Sequence, residues 1–193
     1  ALDSVLDLEK AISTAARWGH AAIAVTDHGV VQGFPEAHRL GKKYGIKILY
    51  GLEGYLVEDD EKEQAFHIVL LAKNRKGLRN LYELVTLSHL KYFYRSPRIP
   101  RKILQEKKEG LIIGSACEAG EVYRAVIQGK DGEELEKVAS FYDYLEIQPL
   151  TNNGFLIDSG AVSSEQELID ANKTIYALAK KLNKPCVATG DVH

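Results

Sequence analysis

The chain reads as an α/β protein built on a largely parallel sheet, open or closed into a barrel. Two observations lead there. Short apolar runs of strand length alternate with longer stretches that carry apolar residues at helical spacing. The first and last of these runs each lead into an acid and an imidazole: Thr26-Asp27-His28-Gly29 near the start and Gly190-Asp191-Val192-His193 at the end. In β/α folds the edge where parallel strands end is where chemistry is done.

Each element has a local reason. Ser4 to Trp18 reads as a helix, with Val5, Leu8, Ile12 and Ala15 on one face, Ser4 and Asp7 resembling a capping box and Gly19 as the stop. Ala21 to Val25 is short and apolar enough for a buried strand. Pro35 to Tyr44 reads as a second helix ending at Gly45, and Ile46 to Tyr50 as a strand running on to Glu53. Glu58 to Gln64 is charged and polar, a loop or hairpin tip open to insertion. Phe66 to Ala72 is a strand. Gly77 to Leu90 is a helix whose candidate buried stripe is Leu78, Leu81, Val85 and Leu90. Lys91 to Lys108 is basic, and Pro97 and Pro100 make its first half irregular. Leu111 to Ala116 is a strand, Glu121 to Gln128 and Glu133 to Phe141 are helices, and Tyr144 to Gln148 is a strand. Ser164 to Leu182 is the clearest helix, with a Ser164–Glu167 capping box and Lys180 and Lys181 at its C-terminal end. Pro185 to Thr189 is the last of six strands. The chain opens on a helix, so a strand is expected before Ala1.

Composition narrows the class. The 193 residues suffice for one domain with a sizeable core. A net charge of −2 gives no global attraction to nucleic acid, so any such binding must come from a local patch. No apolar stretch reaches membrane-spanning length, no signal peptide is visible, and two cysteines make no disulfide framework, so a cytoplasmic setting without membrane partners is expected. The absence of methionine marks the chain as a fragment, a processed product or an incomplete record of a parent.

Five of the strands lead to or carry potential metal ligands: Asp27 and His28; Glu53; His67; Cys117; and Asp191 with His193. Imidazole, carboxylate and thiolate together suit zinc, manganese or iron better than calcium or magnesium. Such ions polarise a phosphoryl oxygen and activate water, which points to phosphoester hydrolysis. Each residue also has an ordinary reading. Asp27 could cap the next helix, His28 could be a hydrogen-bonded loop histidine, and Glu53 could pair with a lysine. His67, near the start of its strand, could be a satisfied core histidine, and Cys117 a small buried hydrophobe. Asp191 and His193 are the stronger pair, since their spacing of two points both side chains the same way along a strand.

The run Ala24 to Ala37, with Thr26-Asp27-His28-Gly29 at its centre, resembles the second motif of the PHP (polymerase and histidinol phosphatase) domain. More narrowly, it resembles the version found in PolC-type bacterial DNA polymerase III. Tyr50-Gly51-Leu52-Glu53-Gly54, Leu87 to Arg95, Ile113 to Cys117 and Ala188 to His193 are similar to that family in the same order. The resemblance covers nearly the whole chain. It implies a single PHP domain over residues 1–193, a distorted barrel of about seven β/α units without its first strand here. It also implies up to three divalent metal ions, zinc, manganese or iron. Asp3, His28, Glu53, His67, Cys117, Asp191 and His193 match the family's ligand positions, with Asp27 behind them; no catalytic residue is assigned.

Two departures stand out. The family's opening His-x-His is absent, so the ion it holds is expected to be missing or weakly bound. PolC-type polymerases carry a proofreading exonuclease inside this domain, whereas residues 56–65 form only a short charged loop, the candidate site of such an insertion. No exonuclease carboxylates or polymerase palm are found in the chain. The resemblance implies a parent that synthesises DNA on a DNA template, with DNA, other polymerase domains and replisome subunits as partners. This domain would be a multi-metal phosphoesterase-like site, catalytic or structural. The alternative is a stand-alone phosphatase of the same superfamily, against which the helical and basic insertion at 76–108 argues. Within that insertion Lys91, Tyr92, Tyr94, Arg95, Arg98 and Arg101 are candidates for contact with nucleic acid or with another domain.

Overall fold

The computed structural model describes residues 6–58 and 64–192. Asp3, Ser4, His193 and residues 59–63 of the expected 56–65 loop lie outside the described residues, and Leu56 and Val57 are buried strand rather than loop. The fold is mixed α/β, and the described residues form two compact units. Unit 1 comprises 6–58, 64–65 and 69–112; unit 2 comprises 66–68 and 113–192.

Unit 1 begins with α1 (Leu8–Arg17), which starts later than the sequence suggests because Asp7 is the cap: its Oδ1 accepts the Lys10 N–H at 2.8 Å. β1 (Ala22–Val25) follows, then α2 (Phe34–Tyr44), with Pro35 in its first turn and Gly45 closing it in the left-handed conformation. β2 (Lys47–Val57) pairs in parallel with β1, Ala22 opposite Lys47 through Val25 opposite Tyr50. β3 (Phe66–Ala72) is its neighbour in the sheet. α3 (Arg75–Leu90) is capped by Asn74, whose side-chain oxygen accepts the Gly77 N–H.

The segment after α3 corrects the sequence reading. It holds two strands, β4 (Phe93–Tyr94) and β5 (Ser96–Pro100), rather than an irregular stretch. They form a tight antiparallel hairpin through Arg95, which adopts a left-handed φ of 62°. β5 then runs parallel to β2, Tyr55 opposite Arg98 and Val57 opposite Pro100. The prolines are tolerated because Pro97 faces a two-residue edge strand and Pro100 is the last residue of its own. α4 (Arg101–Lys107) and β6 (Leu111–Gly114) follow, and the sheet order is β4-β5-β2-β3-β6 with β1 on β2. The described residues therefore hold eight strands, not six.

The core of unit 1 lies where α1, α2, α3 and α4 meet this sheet. Ile12, Phe34, Leu40, Leu52, Leu56, Leu81, Leu84, Ile99 and Leu104 are buried there, each worth about 1.5–3 kcal/mol. The buried face of α3 is Leu81, Leu84 and Ser88, and Leu90 is 83% exposed, so the expected stripe is corrected by about one position around the helix.

Unit 2 contains α5 (Glu121–Ile127), α6 (Gly132–Ser140), β7 (Leu145–Ile147), α7 (Phe155–Asp158), α8 (Glu165–Lys181) and β8 (Cys186–Ala188). β7 and β8 are parallel partners, and Gly114 bridges to Tyr144 just before β7. A 3₁₀ turn at Leu150–Asn153 precedes α7, in a stretch to which the sequence assigns no element. α5, α6 and α8 pack on one another and α8 covers β7, burying Val122, Leu135, Tyr142, Leu145, Leu168 and Ile175. At the start of α8, Glu167 accepts from the backbone N–H and the hydroxyl of Ser163, one residue earlier than the expected box. At the other end of unit 2, Lys184 donates to the carbonyls of Ala139 (3.0 Å), Ser140 (2.8 Å) and Tyr142, closing the C-terminal end of α6.

Candidate metal centre

In unit 1 the backbone ladder itself delivers two donors. Beyond Val25 the β1–β2 pairing continues as an isolated parallel bridge between His28 and Glu53. The Glu53 N–H donates to the Asp27 carbonyl (3.2 Å), and the Gly29 N–H donates to the Glu53 carbonyl (2.8 Å). The side chains follow: His28 Nδ1 lies 4.0 Å from Glu53 Oε2, with exposures of 13% and 9%. The His28 ring stacks on Tyr55 at 5.9 Å. Gly29 makes the turn possible, because its φ is 66° and a Cβ there would stand 2.4 Å from Pro97 Cγ. Asp27 Oδ2 lies over Gly33, the residue before α2, where a Cβ would approach it to 3.1 Å. The carboxylate thus faces the N-terminal turn of that helix, a favourable place for negative charge.

In unit 2 two of the three donors, Cys117 and Asp191, sit on loops. His67 is the second residue of β3; its N–H donates to the Ala119 carbonyl and it bridges to Gly120. This sets His67 Nδ1 3.4 Å from Cys117 Sγ. The Cys117 sulfur and an Asp191 carboxylate oxygen lie within 4.8 Å of each other. Both loops contain a non-glycine residue in the left-handed region, Ala116 (φ 58°) beside Cys117 and Asp191 itself (φ 48°). That conformation costs an L-residue about 1–2 kcal/mol, and such residues concentrate at functional sites. Gly120 closes the Cys117 loop so tightly that a Cβ would stand 2.1 Å from the Ser115 carbonyl oxygen.

The donor sets fit a transition metal. Nitrogen with oxygen in unit 1, and nitrogen, sulfur and oxygen in unit 2, are ligand types that zinc, manganese and iron accept. Burial favours binding, since a buried carboxylate needs a compensating partner. The second cysteine is different: burial pushes the Cys186 thiol up, which keeps it neutral and unreactive. Asp3 and His193 lie outside the described residues.

The sequence does not point to Tyr55, or to a group of polar residues behind the unit 2 loops. Ser115 Oγ accepts the Glu146 N–H at 2.9 Å, Glu146 Oε2 accepts the Thr189 hydroxyl at 2.9 Å, and Asn152 Nδ2 donates to the Gly190 carbonyl at 2.6 Å. The available signal was Glu146 itself, a charge inside an otherwise apolar strand.

The basic stretch is partly internal. Arg98 is 7% exposed, its Nε donates to the Tyr94 carbonyl (3.0 Å), and its guanidinium lies 5.1 Å from the Tyr94 ring. Arg101 pairs with Glu58. Lys91 stands 5.0 Å over the Tyr92 ring and Arg95 5.5 Å over that of Tyr94.

Residues 1–156 match the family described as PHP domain. A PolC-type DNA polymerase III from Clostridium perfringens is 56% identical over 142 residues, which is 73% of this chain and 10% of that protein. One from Caldanaerobacter subterraneus subsp. tengcongensis is 50% identical over 151 residues (77% and 11%), and one from Bacillus subtilis is 50% identical over 133 residues (69% and 9%). The chain spans about a tenth of the length of the curated relatives it matches. Among solved structures, a protein provisionally assigned as a metal-dependent phosphoesterase from Bifidobacterium adolescentis is similar in fold, with a TM-score of 0.57 at 13% identity over 99% of this chain and 84% of that one. An amidohydrolase from Chromobacterium violaceum, with bound sulfate and no metal, has a TM-score of 0.55 at 13% identity over the same shares.

Proposed function

Because the chain belongs to the PHP domain family, we propose that residues 1–193 are the PHP domain of a PolC-type DNA polymerase III, and that Asp3, His28, Glu53, His67, Cys117, Asp191 and His193 bind divalent metal ions. Membership also leads us to read the fold class as the family's distorted β/α barrel, supported by the parallel pairings of β1 with β2 and β7 with β8. The parent reading is supported by the identity to the PolC-type relatives. DNA, further polymerase domains and replisome subunits would be its partners, in the cytoplasm.

The observation that carries the metal reading is the convergence of mixed donors inside each unit: His28 with Glu53, and Cys117 with His67 and Asp191. Bound divalent ions would supply the Lewis acidity that phosphoester hydrolysis requires. The chain's own residues hold the donors in place: the β1–β2 ladder sets His28 against Glu53, Tyr55 fixes the imidazole plane, and Gly29 keeps the turn open.

The test is metal retention and hydrolysis by the purified chain. After exposure to manganese or zinc and dialysis, the protein should retain metal and hydrolyse a simple phosphodiester. His28→Ala and Asp191→Ala should each lower retention and cut the rate at least about tenfold. Metal held a hundredfold above its dissociation constant should add about 2.7 kcal/mol of stability, lost on chelation. Retention with background hydrolysis would make the cluster a scaffold. No retained metal would remove the ligand assignment.

A further inference from the structure

Unit 2 holds one loop-borne donor, Asp191, in left-handed backbone and the other, Cys117, beside a left-handed residue, and one residue touches the supports of both. Glu146 is the middle residue of β7 and only 7% exposed. Its neighbours Leu145 and Ile147 are apolar, and an apolar side chain would serve the strand at less cost than a buried carboxylate. The Glu146 carboxylate instead accepts the Thr189 hydroxyl at 2.9 Å, two residues before Asp191. Its backbone N–H donates to Ser115 Oγ at 2.9 Å, two residues before Cys117. The Thr189 N–H donates to the Ile147 carbonyl at 3.0 Å, and Asn152 holds the Gly190 carbonyl.

We propose that Glu146 is a positioning residue that fixes the Cys117 loop and the Asp191 loop at one spacing. The proposal rests on the reading of Cys117 and Asp191 as metal ligands. The hydrogen bond from Thr189 restrains the chain entering Asp191, and Ser115 restrains the chain entering Cys117. Both loops are thereby referred to the same strand. With the acceptor gone, the left-handed residue at 191 loses one of the bonds that offset its conformational cost, and the carboxylate and thiolate drift apart. Partners of this kind, one step behind the ligands, commonly change metal affinity 10–100-fold.

The experiment titrates the chain with Co(II) alone and follows both the dissociation constant and the charge-transfer absorption of a thiolate bound to cobalt. Glu146→Leu should weaken Co(II) binding about 10–100-fold and diminish that absorption. Glu146→Gln, which keeps the acceptor oxygen, should largely restore both. Thr189→Val removes the donor at a half-buried site with little change of volume, and should reproduce the loss while the helical circular dichroism of the metal-free protein stays unchanged. If Glu146→Leu does not fold, Thr189→Val decides alone. Should Thr189→Val bind Co(II) like the parent chain with the same absorption, while Cys117→Ala and Asp191→Ala both weaken binding, the positioning role is overturned and the ligand reading stands. Wild-type binding by Cys117→Ala and Asp191→Ala overturns both.

Discussion

The two units present their donors by different means. In unit 1, His28 and Glu53 face each other because they are the two partners of one parallel bridge that continues the β1–β2 register, and the backbone bonds through Asp27, Gly29 and Glu53 place both side chains. In unit 2, Cys117 and Asp191 lie on loops where the ladder has ended, one beside and one in left-handed backbone, with side chains supplying the restraint. A ladder is insensitive to the identity of neighbouring side chains and intolerant of backbone change. A network of side chains is the reverse.

The sharpest test of that contrast strikes the unit 1 backbone. Gly29→Ala places a Cβ in left-handed geometry and against Pro97. The conformational penalty of about 1–2 kcal/mol and overpacking of about 1–3 kcal/mol together predict a loss of about 2–5 kcal/mol in urea unfolding. A loss below about 1 kcal/mol would mean that the turn yields, and that the ladder is not what fixes His28.

A smaller effect is expected from a side-chain tie in unit 2. Lys184→Met keeps the aliphatic stem and removes three donated hydrogen bonds at the end of α6. Bonds from a charged group suggest a cost of about 1.5–3 kcal/mol. Hydrogen exchange should localise it to α6, and loss of protection spread through unit 1 instead would break the comparison.

The smallest effect belongs to the surface of unit 1. The Lys43 ammonium and Tyr44 hydroxyl, both bonded to Glu9, hold its carboxyl below the usual carboxylate range. Such a depressed group adds stability above its unfolded pKa and loses it as pH falls through the folded one. The pair is exposed, so the effect is slight. Glu9→Gln should leave stability at pH 7 nearly unchanged and flatten the acid limb of a melting-temperature profile below about pH 4.5; an unchanged acid limb would show the tie contributes nothing.

The same contrast decides what could be read from the chain. His28 and Glu53 were legible because apolar runs of strand length lead directly to them, and the ladder continues that register. The body of α8 was legible from its periodicity, although the Glu167 carboxylate takes Ser163 rather than Ser164 as its partner. The hairpin at 93–97 was not, because Pro97 and Pro100 signal a break wherever the strand partner is unknown, and only the pairing with β2 shows they are harmless. Leu90 was misread because a helical stripe extrapolates past the last turn that has anything to pack on. Glu146 and Lys184 depend on partners 31 to 45 residues away, and no local pattern announces them.

Lys184 carries a further consequence for how the polypeptide is made. The last carbonyls of α6 and the lysine that closes them are separated by 44 to 45 residues. At about 5–20 residues per second, a ribosome needs roughly 2–9 s to add that length. Throughout that interval α6 stands with its end unclosed while β7, α7 and α8 are still being synthesised, and the helix is completed only by a lysine that follows α8.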